Sequence, residues 1–310
     1  MTTILITGVT GFIGSNLVSY FNDNVAVKLY GHTRNVVAAK EKLKDFKIDI
    51  LSEYTSTSID ALNIDCIIHL AGIAHDLSNK YVDADYYKVN FEDTAKLYDE
   101  FLKSKAGTFI YFSSIKAAVD SINNSFDENI QPNPVTPYGK SKLKAEEYIK
   151  AHSTAEKKYY ILRPCMIHGP GNKGNLNLLY KFVKSGIPYP LGAFQNKRSF
   201  LNVDNLNFII DKLLHSTAES GIYNLSDEGL LSTNEVVSII ASTLGKKARV
   251  WNLPMRPINF FFTVGGKKKM LSKLTESMEV SNLKIISAIG QSLPVSIDEG
   301  LRKTIRSFHE

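Results

Sequence analysis

The stretch TTILITGVTGFIGSNLVSYF, residues 2–21, decides how the rest of the chain is read. Its first six residues form an apolar, β-branched run that ends at a glycine, which predicts a buried strand. Phe12, Ile13, Leu17, Val18 and Phe21 then recur at helical spacing, so a helix follows at once. Between them stand Gly8, Gly11 and Gly14. Glycine here permits a tight turn, close approach of backbone to a pyrophosphate, and close packing of helix on strand. The first N–H groups of the helix, at Phe12, Ile13 and Gly14, and its dipole then face the phosphates. Strand, glycine turn and helix in this order predict a dinucleotide site rather than a merely tight turn.

Working outward, strands are expected in NVAVKLYG, DCIIHLAG, GTFIYFSS and KYYILRP. Helices are expected in VDADYYKVNFEDTAKLYDEFLKS and TPYGKSKLKAEEYIKAHS. This alternation predicts an α/β protein with a Rossmann-type, doubly wound parallel sheet. After Pro164 the chain turns to Gly- and Pro-rich turns with shorter elements. The expected division is a dinucleotide-binding domain at 1–163, joined by a segment returning at about 198–220, and a smaller C-terminal α/β substrate lobe at 164–197 and 221–310.

Composition narrows the class. The 310 residues are 44% apolar and 22% charged, as in an ordinary globular protein. A secretory signal and an apolar run of bilayer length are both lacking, and Cys66 and Cys165 lie in strand-like apolar segments as core residues. A cytoplasmic setting is expected, and no metal site. The net charge of +6 is spread along the chain, with one compact run at Lys267–Lys269. That pattern does not point to nucleic acid, and mild basicity suits an anionic substrate.

A site for NAD carries an acid at the end of the second strand, where it holds the ribose hydroxyls. Here the chain reads Tyr30-Gly31-His32-Thr33-Arg34. Arg34 suits a 2′-phosphate, or is a solvated loop charge. Asp49, in KIDIL, is either an adenine contact or a turn aspartate.

Tyr138 and Lys142 are four residues apart at the start of a helix, hence on one face. A phenol titrating near ~10 is a poor proton carrier at neutral pH. A neighbouring ammonium and an oxidised nicotinamide are expected to lower that value. Ser114, ending the preceding strand, can share the same substrate oxygen. The three residues read as catalytic.

With these residues in place, the chain resembles the extended short-chain dehydrogenase/reductase family, in its NAD(P)-dependent nucleotide-sugar epimerase/dehydratase branch. TGVTGFIG, IIHLAG, YFSSIK, PYGKSK, LRPCMIHGPG, RSFLNVDN and YNLSDEGLLSTNEV carry the resemblance. It implies Tyr138 as acid/base, Lys142 tuning it and binding the nicotinamide ribose, and Ser114 orienting the sugar. It also implies Asn175 and Arg198 on the substrate diphosphate, with Tyr189, Pro190 and Leu191 against the base. One departure stands out: the family's Arg-x-Gly-Asp phosphate motif is replaced by GGKKKMLSKLTESMEVSN, residues 265–282. Lys267–Lys269 substitute for it, end a solvated helix or, after INFFFTV, touch a membrane surface; the solvated end ranks first.

The implied activity is NAD- or NADP-dependent oxidoreduction at C4 of a UDP-linked hexose, as a 4-epimerase or a 4-keto reductase. A reductase of non-nucleotide ketones and a non-catalytic dinucleotide sensor are the alternatives. The first does not need the diphosphate residues, and the second typically loses the Tyr/Lys pair. The expected partners are the nucleotide sugar and a second copy of the chain in a homodimer, with no nucleic acid and no stable membrane insertion.

Overall fold

The computed structural model describes residues 1–74, 81–120, 124–172, 174–253 and 275–308. Lys267–Lys269 and INFFFTV lie outside them. Strands β1 (Thr2–Thr7), β2 (Val27–His32), β3 (Ile48–Leu51), β4 (Cys66–His69), β5 (Thr108–Phe112) and β6 (Lys158–Pro164) alternate with helices. The helices are α1 (Phe12–Phe21), α2 (Val36–Lys42), α3 (Ser56–Ala61), α4 (Asp83–Tyr87), α5 (Asp93–Lys103) and α6 (Pro137–Ala151). A π-helical turn, Lys88–Glu92, joins α4 to α5 inside the amphipathic run that reads as one helix in sequence.

With β9 (Gly221–Leu225) at its far edge, the sheet has seven strands in the order β3-β2-β1-β4-β5-β6-β9, and every neighbouring pair is parallel. Parallel strands need covered faces, which explains why they read as continuous apolar runs. Ile4, Ile6, Leu17 and Phe21 are buried on one face, and Leu5, Ile67, Phe109 and Phe101 on the other. Each such side chain contributes roughly 1.5–3 kcal/mol. Cys66 and Cys165 are buried and unpaired.

The second lobe is built from β7 (Met166–His168), α7 (Asn175–Lys184), β8 (Phe200–Asn202) and α9 (Thr233–Thr243). Ser232 and Glu235 close a reciprocal cap at the start of α9. Leu176, Tyr180, Leu191, Val236 and Ile240 form this lobe's core with Leu301 and Ile305 of α11 (Ile297–Arg306), which follows α10 (Leu283–Ile289).

The expected return at 198–220 needs correction. β8 pairs with β7 in a separate two-stranded sheet, and α8 (Val203–Leu214) packs its Leu206, Ile209 and Ile210 on the α1 side. The strand that joins the main sheet is β9 (Gly221–Leu225), which pairs with β6 and lies beyond the expected boundary. Both are short apolar strands, and only long-range pairing tells them apart.

Candidate active site

Because all strands run in one direction, the loops after β1, β2, β4, β5 and β6 share one edge, where ligands of such sheets bind. β1 is followed by Gly8, whose φ of +68° suits glycine. A Cβ at Gly14 would stand 2.6 Å from the Gly8 carbonyl oxygen, so helix and turn touch backbone to backbone. α1 starts after Gly11 with no side-chain cap, which leaves the Phe12 and Ile13 N–H groups for an anion. Lys42 Nζ donates to the Thr10 carbonyl at 2.6 Å and adds positive charge to the turn. This cradle fits a dinucleotide pyrophosphate.

Arg34 is exposed on the loop leaving β2, at the same edge. Asp49 sits within β3 opposite Tyr30, exposed, with its charge felt by Lys28. Its neighbours Ile48 and Ile50 face Gly31 and Val9, on the other face of the sheet. Strand alternation therefore puts Asp49 on the opposite face of β3 from these two isoleucines.

Thr136 caps α6, its Oγ1 accepting from Gly139 N at 3.2 Å, with Pro137 in the first turn. That fixes where the helix starts, and with it Tyr138. The Tyr138 phenol is half-buried and hydrogen-bonded to Ser114, the residue capping the short 3-10 turn Ile115–Ala117. Tyr86 lies edge-on to it, ring centres 6.3 Å apart. Lys142 is buried, with Nζ donating to the Phe112 carbonyl at 2.7 Å and lying 4.9 Å from the centre of the Tyr111 ring.

Burial and neighbouring groups set the titration of both residues. Burial raises the Tyr138 pKa, the Ser114 hydrogen bond opposes this, and Tyr86 adds to it. Lys142 is itself lowered to about 8 by burial, partly offset by Glu146. Its ammonium is directed at the Phe112 carbonyl and the Tyr111 ring, and Ser114 is the neighbour that lowers the phenol's pKa.

Sequence reading missed the supports of this site. Asn90, in the π-helical turn, is fully buried and grips the loop after β4. Its Oδ1 accepts from Ile73 N at 2.8 Å, and its Nδ2 donates to Ile73 O at 3.0 Å and Ser141 Oγ at 3.1 Å. Ser141 Oγ donates to Tyr138 O at 2.9 Å. π-turns are frequent at functional sites. His69, lowered to about 3 by burial, links Thr7 and Thr94 at 2.6 and 2.9 Å. Beneath α6, Glu146 pairs with Arg163 of β6 and accepts from Ser113 Oγ. A charged residue inside KYYILRP is the signal that sequence offered for the pair.

In the second lobe, Asn175, Tyr189, Pro190, Leu191 and Arg198 all line one cleft of about 340 Å³. Asn175 is the first residue of α7, and Arg198 is half-buried, NH1 donating to the Glu276 carbonyl at 3.2 Å. Between these polar residues the walls are apolar, with Leu176, Leu179, Phe182 and Val236. Tyr189 holds its wall through backbone pairing with Arg249 and Trp251.

A glycine turn, an uncapped helix and a Ser/Tyr/Lys set at the carboxyl edge of a parallel sheet define a dehydrogenase/reductase-type Rossmann protein. Residues 4–226 match the NAD-dependent epimerase/dehydratase family, and the chain belongs to it. It is 30% identical to a UDP-glucose 4-epimerase of Vibrio cholerae, over 99% of this chain and 95% of that one. It is also 30% identical to the N-acetyl-alpha-D-glucosaminyl-diphospho-ditrans,octacis-undecaprenol 4-epimerase of Escherichia coli O157:H7, covering 71% of each. The fold matches a UDP-glucuronic acid 4-epimerase from Bacillus cereus, crystallised with NAD, with a TM-score of 0.79, 20% identity and 99% coverage of both chains.

Proposed function

We propose that this enzyme catalyses NAD(P)-dependent oxidoreduction at C4 of a nucleoside-diphosphate hexose, a UDP-sugar before others, as a 4-epimerase or 4-keto reductase. The observation that carries the reading is the hydrogen-bonded Ser114–Tyr138 pair on the helix that also bears Lys142, at the edge where the glycine turn opens. The relatives from Vibrio cholerae and Bacillus cereus support it, both being 4-epimerases of UDP-sugars by name.

The dinucleotide is held at Gly8, Gly11, Phe12, Ile13 and Gly14, with Lys142 and Tyr138 at its nicotinamide end. When bound, it supplies a hydride acceptor and donor for C4. Tyr138 takes the C4 hydroxyl proton on oxidation and returns one on reduction, and Ser114 orients that oxygen. Asn175 and Arg198 hold the diphosphate, while Tyr189, Pro190 and Leu191 take the nucleoside. The enzyme works in the cytoplasm, an assignment supported by two unpaired thiols. A homodimer belongs to the same reading, and nucleic acid has no part in it.

Dehydration at C5 and C6 needs an added acid and base after the strand-end serine. Here Ile115 is buried, and Lys116 is tied to the carbonyl of Asp120. Neither can serve. Mass spectrometry of UDP-, dTDP- and GDP-hexoses after incubation is expected to show no loss of water, and a 4-keto-6-deoxy product would contradict the C4-only reading.

Arg198→Ala is expected to raise KM about tenfold or more, with kcat little changed, because a phosphate contact is made equally in ground and transition states. A lowered kcat at unchanged KM would remove Arg198 from that role. For the cofactor, no carboxylate follows β2 and Arg34 stands there exposed. Fluorescence titration is expected to show NADP(H) bound at least as tightly as NAD(H), and exclusive NAD(H) binding would show another residue on the ribose.

A further inference from the structure

We infer that the outer edge of the substrate lobe docks on an anionic lipid bilayer. The chain leaves α9 at Gly245 and runs extended beside the wall of the cleft. Tyr189 N donates to Arg249 O at 2.7 Å, Trp251 N to Tyr189 O at 2.8 Å, and Gly192 N to Trp251 O at 3.0 Å. Along such a segment alternate side chains face the same way. Val250 packs inward on the lobe's core, and Lys247, Arg249, Trp251 and Leu253 are left outside.

This face joins apolar and cationic groups. Trp251 is 56% exposed, Leu253 39%, and Ile187, from the chain beside it, 57%. Ile187, Lys246, Lys247 and Arg249 also border a depression of about 340 Å³ behind Tyr189. No acid occurs between residues 245 and 253. Indole rings settle at the level of lipid headgroups, and lysine and arginine beside them are drawn to anionic lipid. A protein partner of ordinary interface size needs about 20–30 residues a side. Six side chains fall well short of that, whereas a bilayer asks for no matched shape. Tyr189 separates this face from the cleft, so docking sets the substrate site beside the membrane.

Trp251 is the single tryptophan of the chain, which makes the test direct. The protein is mixed with vesicles of phosphatidylglycerol and phosphatidylcholine, and its emission is followed. A blue shift, quenching by lipids brominated in the acyl chain, and loss of both at high salt are expected. Lys246→Glu/Lys247→Glu/Arg249→Glu is expected to weaken binding at least about tenfold while melting at the unaltered temperature. The inference is overturned if anionic vesicles leave the spectrum unmoved or if neutral vesicles move it equally. It is equally overturned if inorganic phosphate alone, or a higher protein concentration without vesicles, reproduces the shift. None of these readouts involves turnover, so their failure leaves the C4 reading untouched.

Discussion

Tyr138→Phe is expected to lower turnover by about 10²–10⁴ while dinucleotide affinity stays near that of the wild type. The ring persists, still edge-on to Tyr86, so the packing of α6 is kept. What is lost is the transferable proton and the hydrogen bond to Ser114. Because burial raises the phenol's pKa, the wild-type rate is expected to climb with pH across the neutral range, as deprotonation becomes easier. The variant's residual rate should lack that rise. Steady-state kinetics across pH, with cofactor titration alongside, check both halves. A variant retaining the wild-type rate would move the acid/base role elsewhere.

The second large effect concerns stability. Arg163 and Glu146 are each 1% exposed and meet through two contacts, Nε to Oε1 at 2.9 Å and NH2 to Oε2 at 2.5 Å. Arg163→Met strands a carboxylate in the core with Ser113 as its remaining side-chain donor among the described residues. Removing one partner of a buried pair costs about 3–5 kcal/mol, much of it the desolvation of the survivor. Replacing both, as Glu146→Leu/Arg163→Met, is expected to recover most of that loss. Urea unfolding measures each, and a single-variant cost below about 1 kcal/mol would show that the pair is solvated. Glu146 also raises the Lys142 pKa, so the double variant should push Lys142 below about 8.

What was legible in sequence was what depends on near neighbours. The glycine turn, the start of α6 and the apolar strands are local patterns, and they fold as read. The five substrate-lobe residues were reached through resemblance, and the structure gathers them in one cleft. For Tyr138, proximity to Lys142 was visible in sequence, whereas burial of the phenol and the direction of that ammonium to Phe112 were not. Assigning the returning strand to 198–220 instead of Gly221–Leu225 failed on long-range pairing. Asn90 was hidden within a helical pattern whose π-turn is invisible to periodicity.

The central claim is that the hydrogen on C4 leaves and returns as hydride within the enzyme while Tyr138 handles only the oxygen-bound proton. Its most direct test is proton NMR of a UDP-hexose panel, including 4-keto sugars with reduced cofactor, incubated with the enzyme in deuterium oxide. The account predicts a change at C4 in at least one member, with protium retained at that carbon and no deuterium entering the ring. A panel untouched at C4, or deuterium from solvent appearing at C4 or C5, would contradict it.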